Sequence, residues 1–194
     1  VNIGTYYIPK LIREFQDRYP GINVQVKINT TAVVEKELLD GRLDLALVGG
    51  TIQSEHIVAE PLFYEKYTAI CAPEHPMAGK TVPLEEFMKE PLLFREKSSG
   101  AYEVFQSAVN QTGLTVTPVW ESTSQTTLME AVHYGLGVTI LPEQMIKREV
   151  REGRLSQITF SDFSFQNTIH IAYHHSKYLS PSIKKFILLV KTLN

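Results

Sequence analysis

An α/β fold with two lobes is predicted by three features of the 194-residue chain. Leu38-Leu39-Asp40-Gly41 closes an apolar helical face and turns, at a glycine suited to a left-handed helix C-cap, toward a strand. Leu45-Ala46-Leu47-Val48 is then short and uniformly apolar, as in a parallel-sheet strand covered on both faces, and Gly49-Gly50 stops it. The succession of strand, hydroxyl-rich turn, helix and glycine recurs twice more further along. In an open α/β sheet ligands bind at the carboxyl ends of the strands, so those ends are where function is sought.

The elements follow in order. Ile8, Leu11, Ile12 and Phe15 recur at helical spacing, so Thr5 to Tyr19 is predicted as a helix, with Pro9 tolerable only in its first turn. Ile22, Val24, Val26 and Ile28 alternate with polar residues, predicting a half-buried strand before the helix that Thr30-Thr31 opens. Ile57 to Pro73 is rich in strand formers. Thr81 to Phe87 reads as a short helix start and Pro91-Leu92-Leu93-Phe94 as a buried strand. A polar turn from Arg95 to Gly100 opens a helix through Val109 that Gly113 ends. Val116 to Trp120 is extended, and Glu121 to Thr127 leads into a helix through Leu128, Ala131 and Val132. Gly135-Leu136-Gly137 turns the chain into the strand Val138 to Leu141, and Pro142 suits the start of another helix. Thr168 to Tyr173 is extended, and Pro181 to Leu193 forms an apolar terminal helix. The arrangement is two Rossmann-like α/β lobes joined by crossing strands near Thr68–Pro73 and Thr168–Tyr173.

Composition excludes several function classes. The apolar fraction of 43% supports a packed core, while no run is long and apolar enough to span a membrane. Nineteen basic against 21 acidic residues leave a net charge of −2, which is not a nucleic-acid footprint. The single cysteine, Cys71, cannot form an internal disulfide and fits a reducing, cytoplasmic setting. The six histidines do not fall at metal-ligand spacing, although His170 and His174 share a strand face. No Gly-x-Ser-x-Gly elbow and no paired carboxylates argue for catalysis. Neither a metal, a cofactor nor a catalytic residue is expected.

Three predicted helices begin with hydroxyl residues: Thr30-Thr31, Ser98-Ser99-Gly100, and Ser122 to Ser124 with Gln125. Helix N-termini present unpaired N–H groups and partial positive charge, and can hold an anion without Arg or Lys. Taken singly, each such residue is most often a plain helix cap. All three predicted positions follow a predicted strand on the ligand edge, which is the argument for a shared site between the lobes.

At this point a family is visible. Tyr7 to Phe15, Arg18-Tyr19-Pro20, Leu39 to Val48, Glu74-His75-Pro76, Ser98-Ser99-Gly100, Gly135 to Pro142 and Leu179-Ser180-Pro181 occur in the order seen in LysR-type transcriptional regulators. The whole chain resembles their C-terminal effector-binding domain, and is similar to the sulfur-metabolism branch. The resemblance implies a periplasmic-binding-protein type II fold, with subdomain I at residues 1–69 and 170–194 and subdomain II at 70–169. It implies a small effector held by Thr31, Gly49, Ser99, Gly100, Ser124 and Gln125, to which the helix-start reading adds Thr30 and Ser98 and a preference for an anion. It also implies a cytoplasmic homodimer that regulates transcription and reaches DNA only through a helix-turn-helix that this chain lacks. Two departures from the family stand out. Ile3 to Tyr7 aligns with a helix start, so the family's first strand and its hydroxyls are expected to be missing or shortened. Gly49 stands where some relatives carry a basic residue. The alternative is an extracytoplasmic solute-binding protein of the same fold.

Overall fold

The computed structural model describes residues 2–192. In chain order the elements are α1 (Asn2–Tyr6), α2 (Ile8–Arg18), α3 (Thr31–Leu39), β1 (Ala46–Val48), β2 (Ile57–Cys71), β3 (Thr81–Val82), α4 (Leu84–Phe87) and β4 (Leu93–Arg95). They continue with α5 (Gly100–Asn110), β5 (Trp120–Ser122), α6 (Gln125–His133), β6 (Thr139–Pro142), α7 (Glu143–Arg151), β7 (Ser156–Phe160), β8 (Gln166–His174) and α8 (Pro181–Val190). They form two compact units: unit 1 is Val1–Tyr64 with Thr168–Asn194, and unit 2 is Glu65–Asn167. Strands β2 and β8 carry the chain from one unit to the other. Leu193, the expected end of the last helix, lies outside the described residues.

In unit 1 the predicted first helix is divided. Pro9 has no N–H to donate back along the chain, and the helix restarts as α2 with this proline in its first turn. Leu11 and Phe15 of α2 pack with Leu189 and Val190 of α8, and the Phe15 and Phe186 rings meet edge to face at 5.1 Å. A second cluster joins Val34 and Leu38 of α3 to Val48, Ile57 and Ala172. The turn after α3 is as expected. Gly41 has φ 70, its N–H donates to Leu38 O at 3.1 Å, and Arg42 N donates to Glu37 O at 2.8 Å, closing the last turn of the helix.

Two expectations for this unit are corrected. Strand β1 is antiparallel to β8, with Leu47 opposite Ile171, and Ala46 and Leu47 are only half-buried. Its neighbour is the strand returning from the end of the chain, not the next one along. Residues 22 to 28 form no strand among the described residues. Ile22 and Val24 pack onto the α2–α8 cluster, but Val26 and Ile28 are 47% and 51% exposed. Their alternation records a half-buried face and does not supply a neighbouring backbone to pair with.

Unit 2 holds a mixed sheet. Strand β2 pairs antiparallel with β6, Tyr67 opposite Pro142, and with β7, Ile70 opposite Gln157. Strand β3 runs parallel to β7, and β4 parallel to β5 with Arg95 opposite Ser122. A parallel bridge between Leu92 and Val138 sets β4 beside the start of β6. Gly137 allows that approach, because a Cβ there would lie 2.2 Å from Pro91 O. One core cluster gathers Phe87, Phe94, Phe105, Val138 and Ile140, and another gathers Leu93, Leu128, Leu141 and Ile146.

Here too the sequence reading shifts. The extended stretch expected at Val116 to Trp120 becomes a strand only at Trp120, beyond Pro118, which has no N–H for a ladder. Strand β3 precedes the short helix expected after Thr81. Strand β7 carries Ser156, Gln157 and Thr159 beside a single buried Ile158, and gave no strand signal in the sequence. Arg95, read as part of a polar turn, ends the buried strand β4 and is 7% exposed.

Candidate functional site

In unit 1, Thr30 caps α3 through its backbone alone. Val34 N donates to Thr30 O at 3.0 Å, and the Thr30 hydroxyl makes no capping bond. Thr31 opens the helix, and both threonines are half-buried. Helix α3 packs back along β1 through Val34 and Leu38 on Val48, which sets its start at the end of β1 where Gly49 lies. The loop beyond Gly49 is tied to the same helix, since Gln53 N and Ser54 N donate to Glu35 Oε1 at 3.1 and 2.7 Å. Of the three expected helix starts, this one is not preceded by a strand.

In unit 2 the other two follow strands as expected. Strands β4 and β5 end side by side and feed α5 and α6, so both helix starts lie at the carboxyl edge of one parallel pair. Ser98 is an exposed turn residue. Ser99 is the N-cap of α5, is 7% exposed and makes no side-chain capping bond, and Gly100 begins the helix. Ser124 is an ordinary cap whose Oγ accepts from Thr127 N at 3.2 Å. Gln125, the first residue of α6, is 8% exposed, and no described residue hydrogen-bonds its amide. Both residues are largely buried, yet their polar atoms are not among the fully buried unpartnered ones of the described residues (Glu37 Oε2, Thr139 Oγ1 and His170 Nδ1), so they stay open to an incoming group and stand out from the other candidates.

The same unit contains a polar cluster that the sequence reading missed. Glu65 and Asn167 are each 3% exposed. The Tyr67 phenol donates to Glu65 and accepts from Asn167, and it lies close enough to Arg95 to feel its charge. Burial first, then the Glu65 charge, pushes the phenol far above its ordinary value. Arg95 Nε and Nη2 each donate to the Glu96 carboxylate at 2.8 Å. One signal was available: Phe63, Glu65 and Tyr67 share a strand face by alternation, which puts a carboxylate among aromatic residues.

Other candidates carry less. Cys71 is fully buried, and burial pushes its thiol up to about 11, the opposite of a reactive thiolate. The rings of His56, His174 and His175 lie 4.7 to 6.4 Å apart. No group of three His, Cys, Asp or Glu among the described residues is placed to hold a metal ion. No described helix is long and apolar enough to cross a membrane.

The family model of the LysR substrate binding domain matches residues 1–193. The chain belongs to this family. The HTH-type transcriptional regulator YeiE of Escherichia coli K12 is 26% identical over 190 residues, covering 96% of this chain and 64% of that protein. The HTH-type transcriptional activator CmpR of a Synechocystis species is 28% identical over 193 residues, covering 96% of this chain and 62% of that protein. The chain thus spans less than two thirds of the length of these relatives. The regulatory domain of Synechocystis CcmR, solved in complex with 2-PG, superposes with a TM-score of 0.87 at 23% identity, over 97% of this chain and 91% of that one. The likeness in structure carries the fold, the type II periplasmic-binding-protein arrangement expected from the sequence. These relatives do not single out the sulfur-metabolism branch, and their names favour a regulator over the solute-binding alternative.

Proposed function

We propose that this LysR substrate-binding domain is the sensor of a transcriptional regulator, binding a small, anionic effector. The contacts are Thr30, Thr31 and Gly49 from unit 1 and Ser98, Ser99, Gly100, Ser124 and Gln125 from unit 2. The observation that carries the reading is that the parallel pair β4–β5 delivers two helix starts side by side, with the largely buried Ser99 and Gln125 keeping polar atoms that no described residue bonds. They are donors awaiting an acceptor, beside backbone N–H groups that favour negative charge. The magnitudes suffice. A hydrogen bond to a charged group nets about 1.5–3 kcal/mol, and a micromolar complex needs about −8.2 kcal/mol.

On this reading residues 1–69 with 170–194, and 70–169, are the two effector-binding subdomains of a cytoplasmic protein. The domain is a binding module and not an enzyme, forms a homodimer, and influences DNA through a separate DNA-binding segment. The effector acts by binding one arrangement of the domain more tightly than another, and a coupling of about 1–3 kcal/mol is enough for regulation.

The test is a melting-temperature titration with a panel of metabolite acids and neutral metabolites, then the same titration on Ser99→Ala and Gln125→Ala. A ligand at 100 times its dissociation constant adds about 2.7 kcal/mol, and each variant is expected to lose most of that gain. A panel that leaves the melting temperature of the natural sequence unmoved, or variants that respond in full, would overturn the assignment.

A further inference from the structure

Among the described residues Arg95 is the one buried cation. A guanidinium has five N–H donors, and the Glu96 carboxylate takes only the Nε and Nη2 side of this one. No described residue accepts from Nη1. Among the described residues the fully buried side-chain atoms without a partner are Glu37 Oε2, Thr139 Oγ1 and His170 Nδ1, so the Nη1 edge is open to solvent and to an incoming acceptor. The position of Arg95 in the chain gives that edge a purpose. It is the last residue of β4, opposite Ser122 on β5, where the two strands run on into the Ser99 and Gln125 helix starts. Ser99 N in turn donates to Glu96 O at 2.9 Å, so the residue that clamps the guanidinium also fixes the start of α5.

We propose that Arg95 is an effector-binding residue whose Nη1 edge takes an oxygen of a small oxyanion, a carboxylate, phosphate or sulfate. Glu96 and the Asn167–Tyr67–Glu65 hydrogen-bond chain act as positioning residues that hold the guanidinium in place. The inference rests on the effector reading above and adds to it a side chain and a ligand class. Because Glu96 already neutralises Arg95, the site offers charge-assisted donors with no surplus positive charge. That makes the effect of Glu96 itself diagnostic. Glutamine at position 96 keeps an acceptor that orients the guanidinium and removes only the competing carboxylate charge, which strengthens the hold on an anion.

The experiment is calorimetric titration of the domain with sodium sulfate and with 2-phosphoglycolate. Arg95→Gln is expected to weaken binding about ten- to a hundred-fold, the range of one hydrogen bond to a charged group, and Arg95→Lys to fall between it and the natural sequence. Tyr67→Phe is expected to weaken it about three-fold, and Glu96→Gln to tighten it several-fold while lowering the melting temperature of the free domain. If Arg95→Gln does not fold, Arg95→Lys and Glu96→Gln decide. Unchanged affinity in the Arg95 variants, or weakening by Glu96→Gln, overturns the proposal. If Ser99→Ala loses affinity while the Arg95 variants do not, the effector reading stands and the Arg95 assignment falls. If neither oxyanion binds the natural sequence while another metabolite does, the oxyanion class falls and the effector reading again stands.

Discussion

Unit 1 and unit 2 bury different chemistry. Among the described residues every buried polar or charged side chain (Glu65, Arg95, Ser99, Gln125, Thr139 and Asn167) belongs to unit 2. Unit 2 also places Phe87, Phe94 and Phe105 at 1% exposure or less, against Phe15 in unit 1. Unit 1 is held by two smaller apolar clusters, with ion pairs such as Lys191–Glu60 kept at the surface. The difference shows how a fold divides its labour. Whole polar side chains are tolerated where a large, rigid apolar core surrounds them, whereas unit 1 buries single polar atoms such as Glu37 Oε2 and His170 Nδ1. On the proposed reading, unit 2 supplies five of the eight effector contacts.

Core truncations are the strongest way to break this comparison. Phe105→Ala in unit 2 is expected to cost about 3–5 kcal/mol and Leu38→Ala in unit 1 about 2–5 kcal/mol, read by denaturant unfolding. Hydrogen exchange should accelerate mainly in the unit that carries each change, and uniform acceleration across both would merge them into a single cooperative block. Gly41→Ala comes next, at about 1 kcal/mol, because its φ of 70 is strained for any side chain. Its effect should stay within the α3–β1 region of unit 1.

The smallest effects concern pH, and they separate the units by sign. Glu60 in unit 1 is held below the ordinary carboxylate value by hydrogen bonds from Lys191 and Tyr173. Its contribution is present above the unfolded value and is lost as pH falls through the lowered one, so Glu60→Gln should flatten the acid limb of stability. Tyr67 in unit 2 is raised by burial. Its contribution is present below the unfolded value of about 10 and is lost as pH rises toward the folded one, so Tyr67→Phe should flatten the alkaline limb. Thermal melts across the pH range check both, and an exchange of limbs between the two variants would contradict the assignments.

Much of this architecture was legible in the residues, because its signals are local. Leu38 to Gly41 spells a helix end, and Pro142 and Pro181 mark helix starts. The failures share a different cause. Alternation at Ile22 to Ile28 reports which side is covered but not whether another backbone runs alongside. Strand β7 is specified by its neighbours β2 and β3, since its own residues are mostly polar. For the candidate site, hydroxyls before helices could be named from the chain, but the polar cluster could not. Glu65, Tyr67, Arg95 and Asn167 are scattered over about a hundred positions, and folding alone brings the phenol against its partners.

Tyr67 and Asn167 have one more consequence. Unit 2 is a single uninterrupted stretch, and its first and last segments are stitched together by this phenol and by Tyr67 N donating to Phe165 O at 3.3 Å. A cassette from Glu65 to Asn167 therefore has its two ends side by side. Adjacent ends are the geometry that insertion into a host loop or closure with a short tether requires.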